Sequence, residues 1–212
     1  MKGSKWTPAA GARLLCRRFG AEAASRLLRD VLAGLPPGEL IEEPYAGVLH
    51  LIGNGHADGV LGRWRADPDA PRLDHWPRSW AARAFAYLGD VTVGPDLAAA
   101  LADEHWWVRK TAAQTLGRLG VTDQERALLV TLKDPHVRVR RVGATALGRV
   151  GSSGALDGLR AALDDDDLEV RAAADKALTE LAERDGGAGA QACRVSAGPG
   201  PCSSPGACPR KT

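Results

Sequence analysis

An Asp followed six residues later by an Arg recurs three times in this sequence, at a constant interval along the chain. The three pairs are Asp103 and Arg109, Asp134 and Arg140, and Asp165 and Arg171. The guanidinium group of Arg is a planar fork that can donate two hydrogen bonds to one carboxylate. The pairs therefore have two interpretations, a charged row that binds a partner or a set of ionic bridges within the fold.

A second set of charged side chains is basic. Lys110, Gln114 and Arg118 are four residues apart, so they share one face of a helix. Equivalent positions in the neighbouring repeats extend this face, and we define the basic row as Arg83, Lys110, Arg118, Arg141, Arg149 and Lys176. Nine basic and only three acidic residues lie between His105 and Arg149. Charge concentrated in one place attracts an oppositely charged partner, so the row favours an acidic partner. The alternative is an ordinary solvated face in an Arg-rich chain.

Four of the six tryptophans lie close to this basic segment, at Trp76, Trp80, Trp106 and Trp107. Aromatic side chains can anchor a protein partner or stack on nucleic-acid bases, but they more commonly pack in the core. Trp106 and Trp107 are adjacent, so on a helix they point about 100° apart and cannot both face inward. We include Trp80 and Trp106 among the candidate partner contacts.

The remaining metal-ligating residue types do not converge. His105 and His136 are one repeat apart, and equivalent residues of stacked helices lie about 10 Å apart, too far to share a zinc ion. The cysteines are Cys16, Cys193, Cys202 and Cys208. They form no CxxC pair, so we expect reduced thiols. The sequence therefore predicts no metal, no cofactor and no catalytic residue.

The constant interval predicts the architecture that positions these side chains. Residues 103–120 align with residues 134–151 without a gap, and further steps of the same length reach 76–89 and 165–181. A fixed period in this range is typical of a solenoid of stacked helical repeats. Asp134 followed by Pro135 predicts a helix start, because Asp can cap a helix and Pro is tolerated at its first position.

Each repeat is predicted to contain two helices. The first helices are predicted at 96–102, 123–132 and 155–163, and the second helices at 76–88, 106–119, 137–150 and 168–183. The 76–88 helix is predicted to pair with a helix at 57–66, across a Pro-rich connection.

The fold class predicted is all-α, an α-solenoid of about five stacked helical pairs. It is expected to span residues 1–185, with a degenerate N-terminal capping repeat at 1–66 and clear repeats at 73–183. Residues 186–212 are rich in Gly, Pro, Ser and Cys, and they lack Leu, Ile and aromatic residues. Such a segment cannot bury enough apolar surface to offset its ordering entropy, so it is predicted to be a disordered tail.

Charge and hydropathy exclude some classes of function. The net charge is +2, but without the tail the chain has 25 basic and 26 acidic residues, fewer basic ones than a general nucleic-acid binder usually carries. There is no apolar run of about 18 residues, so no membrane span is predicted. No signal peptide is evident at the N-terminus, which favours a cytoplasmic protein.

The repeated pattern resembles the HEAT-repeat family, in the short form called PBS-lyase HEAT-like repeats, including bacterial HEAT-repeat proteins. The residues that carry the resemblance are Asp103, Val108, Arg109, Ala112, Ala113, Leu116, Gly117, Leu119 and Gly120, and their equivalents from Asp134 to Gly151. The resemblance implies a helical solenoid that acts as an interaction scaffold. It also implies that the Asp–Arg pairs form a ladder between stacked repeats and that the basic row lines the concave side.

Three functions are compatible with these features. The first is a non-enzymatic scaffold that binds an acidic protein or peptide in a basic concave groove. The second is a DNA-binding protein similar to the AlkD-type DNA glycosylases, which are HEAT-like arrays with a basic groove and tryptophans, although no matching catalytic Asp is identified here. The third, a bilin lyase-like chaperone, is suggested only by the family name.

Overall fold

The computed structural model describes residues 7–67 and 73–195, with side chains described as far as Arg184. The α-helices in these ranges are α1 (Pro8–Phe19), α2 (Ala21–Ala33), α3 (Pro37–Leu40), α4 (Tyr45–Ile52), α5 (Ala57–Ala66), α6 (His75–Leu88), α7 (Gly94–Ala100), α8 (Trp106–Leu119), α9 (Glu125–Thr131), α10 (Val137–Val150), α11 (Leu156–Ala161) and α12 (Leu168–Val195). Short 3₁₀ turns lie at Val91–Val93, Thr122–Gln124, Ser153–Ala155 and Ala162–Asp164. No strand occurs among the described residues, and the prediction of an all-α solenoid is confirmed.

The second helices of the repeats pack on one another in chain order. Helix α8 packs between α6 and α10, while the shorter first helices α7 and α9 pack against α8 and α10. Small residues allow the second helices to approach closely. A Cβ placed on Gly117 would lie 2.9 Å from the Cα of Ala146, and one on Gly148 would lie 2.9 Å from the Cα of Ala177. The same contact therefore recurs one repeat later and sets the spacing of the stack.

The core follows the helical periodicity of the second helices. Val108, Ala112 and Leu116 are completely buried on α8, and their equivalents on α10 include the fully buried Val139 and Leu147. Residues three and four apart lie on one side of a helix, so these side chains form a continuous apolar stripe. That arrangement leaves the opposite side of α8 and α10 for polar side chains.

Helices α8 and α10 are capped by histidines, which corrects the prediction of an Asp134 cap. His136 is the N-cap of α10, where its Nδ1 accepts a hydrogen bond from the backbone N–H of Arg138 at 3.2 Å. His105 has the same role at the start of α8. The carboxylate of Asp134 instead accepts the backbone N–H of His136 at 2.8 Å, so it shapes the turn before the helix.

The N-terminal helices pair differently from the prediction. The main N-terminal partner of α6 is α2, which also contacts α7, whereas α5 packs on α3 and α4. Helix α2 has 13 residues, with Ala24, Leu28 and Val31 fully buried. Helix α5 has 10 residues and contains Gly59 and Gly62, so it offers a narrower apolar stripe. Helix α2 therefore takes the place of a first helix beside α6.

The chain divides into two units, with the boundary between Leu181 and Ala182. Within the second unit α12 runs to Val195, beyond the end predicted at Glu183, and so includes residues 186–195 of the predicted tail. These residues include several Ala and no Pro, and without a Pro the helix is not interrupted. The rest of the predicted tail, 196–212, lies outside the described residues. None of the described helices has the length and apolar character needed to cross a membrane.

Candidate interaction surface

The repeated Asp and Arg residues form ion pairs between neighbouring repeats. Arg109 donates from Nε and Nη2 to both carboxylate oxygens of Asp134, at 2.6 and 2.8 Å. Arg140 does the same to Asp165, at 2.7 and 3.0 Å. Each Arg therefore reaches the Asp that follows it by 25 residues, not the Asp that precedes it by six. Its contact with the preceding Asp is through the backbone, as in the 2.9 Å bond from Arg109 Nη1 to the Asp103 carbonyl.

The series extends one repeat towards the N-terminus and ends at Arg171. Arg78 donates to both carboxylate oxygens of Asp103, at 2.8 and 3.2 Å, and also pairs with Asp74. Arg171 donates to the backbone carbonyls of Asp165 and Asp166 and forms no ion pair within the described part of the chain. We call the contacts Arg78–Asp103, Arg109–Asp134 and Arg140–Asp165 the ladder.

The ladder is largely shielded from solvent, and this determines its electrostatics. The side chains of Arg109 and Asp134 are 13% and 7% exposed. Burial by itself would raise the pKa of Asp134, but hydrogen bonds from Arg109 and from the His136 amide hold that pKa below its ordinary value. The hydrogen bond to Asp134 raises the pKa of Arg109. Both partners are therefore held in their charged forms. Because they pair with each other, neither charge is available to bind another molecule.

The basic row lies on the side of the second helices that faces away from the core. Arg118, Arg149 and Lys176 are exposed, whereas Lys110, Arg83 and Arg141 are partly buried. Two members are paired with carboxylates, Arg141 with Glu169 at 2.5 Å and Lys176 with Glu180 at 3.7 Å. The row therefore has members whose charge is offset within the protein and members whose charge is not.

Lys110 and Arg118 have aromatic neighbours in place of acidic ones. The Lys110 ammonium lies 4.2 Å from the centroid of the Trp107 ring, and the Arg118 guanidinium lies 4.8 Å from that of Tyr87. Within the described residues, neither cation forms an ion pair. An aromatic face attracts a cation but leaves its net charge uncompensated.

Two grooves lie along the row and are lined by its members other than Arg118. One groove of about 420 Å³ lies over α8, α10 and α12, and its lining includes Arg141, Arg149 and Lys176. The other, of about 380 Å³, lies between α6, α8 and the loop before α5, and its lining includes Arg83 and Lys110. Both are lined by Gln114, so they form one continuous surface.

Electrostatic repulsion within the row is evident at Lys110. Burial lowers the pKa of Lys110, and the guanidinium groups of Arg138, Arg141 and Arg83 lower it further. Burial also lowers the pKa of Arg83. The charged form of Lys110 is therefore less favoured here than in water, and an anion bound nearby would stabilise it.

The tryptophans divide between the core and the surface, and the two candidate contacts, Trp80 and Trp106, lie in different places. Trp80 is only 4% exposed and belongs to the core, although the edge of its ring reaches the wall of the second groove. Trp106 is partly exposed, but it lines neither of the two grooves. Trp76 and Trp107, which are partly exposed, line the second groove together with Trp80. Trp107 precedes Lys110 by three residues and so shares its helix face, a spacing visible in the sequence.

Trp106 instead belongs to a series of stacked rings at the N-terminal ends of the second helices. Its ring lies 3.8 Å from that of His136, with 6° between their planes, and His75 stacks on His105 at 3.7 Å. Each pair joins the first residue of one helix to the capping His of the next. Burial, followed by the charge of Arg138, lowers the pKa of His136. Its cap also requires an unprotonated Nδ1, so both effects favour the neutral ring.

Metal-ligating side chains do not cluster in the described part of the chain. No group of three or more His, Cys, Asp or Glu residues there could hold a metal ion. Cys16 is a free, partly buried thiol. Cys202 and Cys208 lie outside the described residues, and no side chain is described for Cys193.

Comparison with known proteins agrees with the repeat pattern. A family model described as HEAT repeats matches residues 72–130 and 125–190. A search of curated proteins finds no match to the chain.

Proposed function

Because these two matches cover more than half of the chain, the protein belongs to the HEAT-repeat family, and we propose that it is a non-enzymatic scaffold for an acidic protein partner. HEAT repeats generally mediate protein–protein interactions. We place the acidic segment of the partner on the basic row, across the grooves of α6, α8, α10 and α12.

The observation that carries this proposal is the uncompensated charge on α8. Lys110 and Arg118 form no ion pair among the described residues, although the chain has nearly as many acidic as basic residues. The ladder, by contrast, neutralises each of its Arg side chains. Charge left unpaired on a surface with grooves is available to attract and orient an anionic partner.

The spacing of the row suggests what the partner looks like. Packed helices lie about 8–10 Å apart, and an extended peptide advances about 3.3 Å per residue. A peptide that crosses α8 and α10 would therefore meet a new pair of cations about every three residues. We expect acidic side chains at that interval in the partner.

A charge-reversal variant tests the proposal. It carries Glu in place of Lys110, Arg118, Arg141 and Arg149. The matched control carries Glu in place of Arg17, Arg126, Lys133 and Arg160, which are exposed and lie outside the grooves. Both variants must retain the far-UV circular dichroism spectrum of the parent. Capture of partners followed by mass spectrometry, and titration with poly-L-glutamate and with a short DNA duplex, are then compared for the three proteins.

We expect the parent and the control to bind poly-L-glutamate and to capture the same acidic protein, and we expect the row variant to lose both. Equal binding by all three proteins would contradict a role for the row. Binding of the duplex alone, with a steep dependence on salt, would indicate a nucleic-acid partner instead.

A further inference from the structure

The groove between α6 and α8 contains a second arrangement that is not needed to hold a long acidic segment. We call it the tryptophan pocket and define it by Trp76, Trp80, Trp107, Arg83 and Lys110, which all line the same space of about 380 Å³. The centroid of the Trp76 ring lies 6.1 Å from that of Trp80 and 6.0 Å from that of Trp107. Three indole rings and two cations therefore meet in one concave site.

Arg83 forms a single hydrogen bond within the described part of the chain. Its Nη2 donates to the backbone carbonyl of Ile52 at 3.0 Å, at the end of α4. Among the described residues it has no carboxylate partner, and its Nε and Nη1 donate no other hydrogen bond to the protein. A guanidinium group carries five N–H donors, so most of them remain for a ligand.

Lys110 adds a second cation on the opposite wall. Its ammonium lies over Trp107 at 4.2 Å, and the positive charge of Arg83 lies close enough to oppose its protonation. Both cations are partly buried, and neither is paired with an acidic side chain in the described part of the chain. Burial without a counter-charge is unfavourable for a charged group, so two partly buried cations in one concave site favour a ligand that supplies the negative charge.

We propose that the tryptophan pocket binds an oxyanion attached to a flat apolar group, as found in a peptide segment that places a carboxylate or a phosphate next to an aromatic ring. The Arg83 fork can donate two parallel hydrogen bonds to either oxyanion, and Lys110 contributes a point charge. The partly exposed rings of Trp76 and Trp107 offer faces and edges on which an aromatic ring can stack. The proposed peptide partner rests on the proposed function, but the chemistry of the pocket does not.

Small probes test the pocket without a protein partner. Phenylacetate, phenyl phosphate, inorganic phosphate and neutral benzyl alcohol are titrated into the full chain, with tryptophan fluorescence and isothermal titration calorimetry as readouts. We expect phenylacetate or phenyl phosphate to bind, inorganic phosphate to bind more weakly, and benzyl alcohol to bind weakest. The stronger of the two aromatic anions identifies the oxyanion. Binding of benzyl alcohol as tight as that of both aromatic anions would overturn the proposal.

Single substitutions assign the binding to the pocket. Arg83→Gln and Lys110→Gln should each weaken the affinity for the aromatic anions about tenfold, the effect of losing a charge-assisted hydrogen bond. The matched control Arg126→Gln should leave the affinity within about twofold. Arg83→Lys retains the charge, so its affinity for the aromatic anions should fall less than that of Arg83→Gln. If Arg83→Gln unfolds the protein, Lys110→Gln decides, because its side chain makes no described hydrogen bond. Unchanged affinity in a folded Lys110→Gln variant would refute the pocket.

Arg118 separates this proposal from the proposed function. It belongs to the basic row but does not line the tryptophan pocket. Arg118→Glu should weaken binding of poly-L-glutamate and leave phenylacetate binding unchanged. Loss of poly-L-glutamate binding without any binding of small anions would support the scaffold and refute the pocket. Binding of small anions, together with unchanged poly-L-glutamate binding by Arg118→Glu, would support the pocket and refute the row.

Discussion

The ladder makes a quantitative prediction at Asp134. Replacing Asp134 with Asn keeps the shape of the side chain but removes its charge and one of the two oxygen atoms that accept hydrogen bonds from Arg109. The Arg109 side chain is only 13% exposed, so its charge would remain shielded from solvent without a partner. Breaking one side of a buried pair costs about 3–5 kcal/mol. Because this pair retains some solvent contact, we expect a loss near the lower limit, about 3 kcal/mol.

Glu169→Gln is the matched control. It also removes one carboxylate from an Arg ion pair between neighbouring repeats, but the side chains of Arg141 and Glu169 are 43% and 70% exposed. Ion pairs in such positions contribute about 0–1 kcal/mol, because water screens them. The two substitutions therefore differ mainly in burial, and the expected losses differ by about 2 kcal/mol or more.

Urea denaturation at neutral pH measures both losses, followed by circular dichroism and by tryptophan fluorescence. Coincident transitions for the two signals justify a two-state analysis. A loss for Asp134→Asn no greater than that for Glu169→Gln would refute the inference that the ladder stabilises the stack. In the double-mutant cycle, the variant that combines Arg109→Met with Asp134→Asn should lose less unfolding free energy than the two single variants lose in total. The reason is that the double variant has no unpaired buried charge.

The same pair should also make the protein sensitive to acid. The pKa of Asp134 is below its ordinary value of 3.8, so the unfolded chain binds a proton more readily than the folded one. Its contribution to stability is therefore present above pH 3.8 and is lost as the pH falls towards the folded pKa. The difference in unfolding free energy between the parent and Asp134→Asn should narrow over that range.

Three further predictions concern packing and charge elsewhere in the stack. Gly117→Ala should destabilise the protein by about 1–3 kcal/mol, because the added methyl group would overpack against Ala146. Gly62 is an exposed helical residue with open space around it, so Gly62→Ala should stabilise the protein by about 0.5–1 kcal/mol. Thermal denaturation of both variants measures this, and a stabilised Gly117→Ala would contradict the close contact. Lys110→Met should leave the stability unchanged or raise it, because the charged form of Lys110 is disfavoured by burial and by nearby cations. Since the pKa of Lys110 is lowered, the stability difference between Lys110→Met and the parent should shrink as the pH rises towards 10.5. Denaturation at several pH values measures this difference. Because the pKa of His136 is lowered in the folded protein, the unfolded chain takes up a proton at this residue at higher pH than the folded chain does. The free energy of unfolding should therefore fall as the pH drops below 6.5 and level off below the folded pKa. His136→Asn retains a capping group and should remove that part of the pH dependence.

Much of the fold could be predicted from local sequence pattern. The bounds predicted for α8 and α10 agree with the structure, because helical periodicity and the glycines at 120 and 151 act over a few residues. The constant interval between the Asp–Arg pairs indicated that these helices stack. The capping residue was wrong for a reason that lies beyond local pattern. The carboxylate of Asp134 is occupied by Arg109 of the preceding repeat, and the cap passes to His136.

The N-terminal pairing could not be predicted in this way. Three other helices separate α2 from α6 along the chain, and the repeat interval does not relate the two. Which helix covers α6 depends on the apolar area that each candidate can bury against it, and α2 presents a longer buried stripe than α5. The buried area depends on tertiary packing, so local sequence pattern does not give it.

For the candidate site, the residues that share a helix face were predictable from their spacing along the chain. The spacing of Lys110, Gln114 and Arg118 was sufficient for this, because the geometry of one helix is local. Tertiary packing decided which cations keep an unpaired charge, since Arg141 meets Glu169 from the next repeat while Lys110 meets an indole ring. Contacts between repeats depend on the rotation and separation of whole helices, and those follow from how the core packs rather than from spacing along the chain.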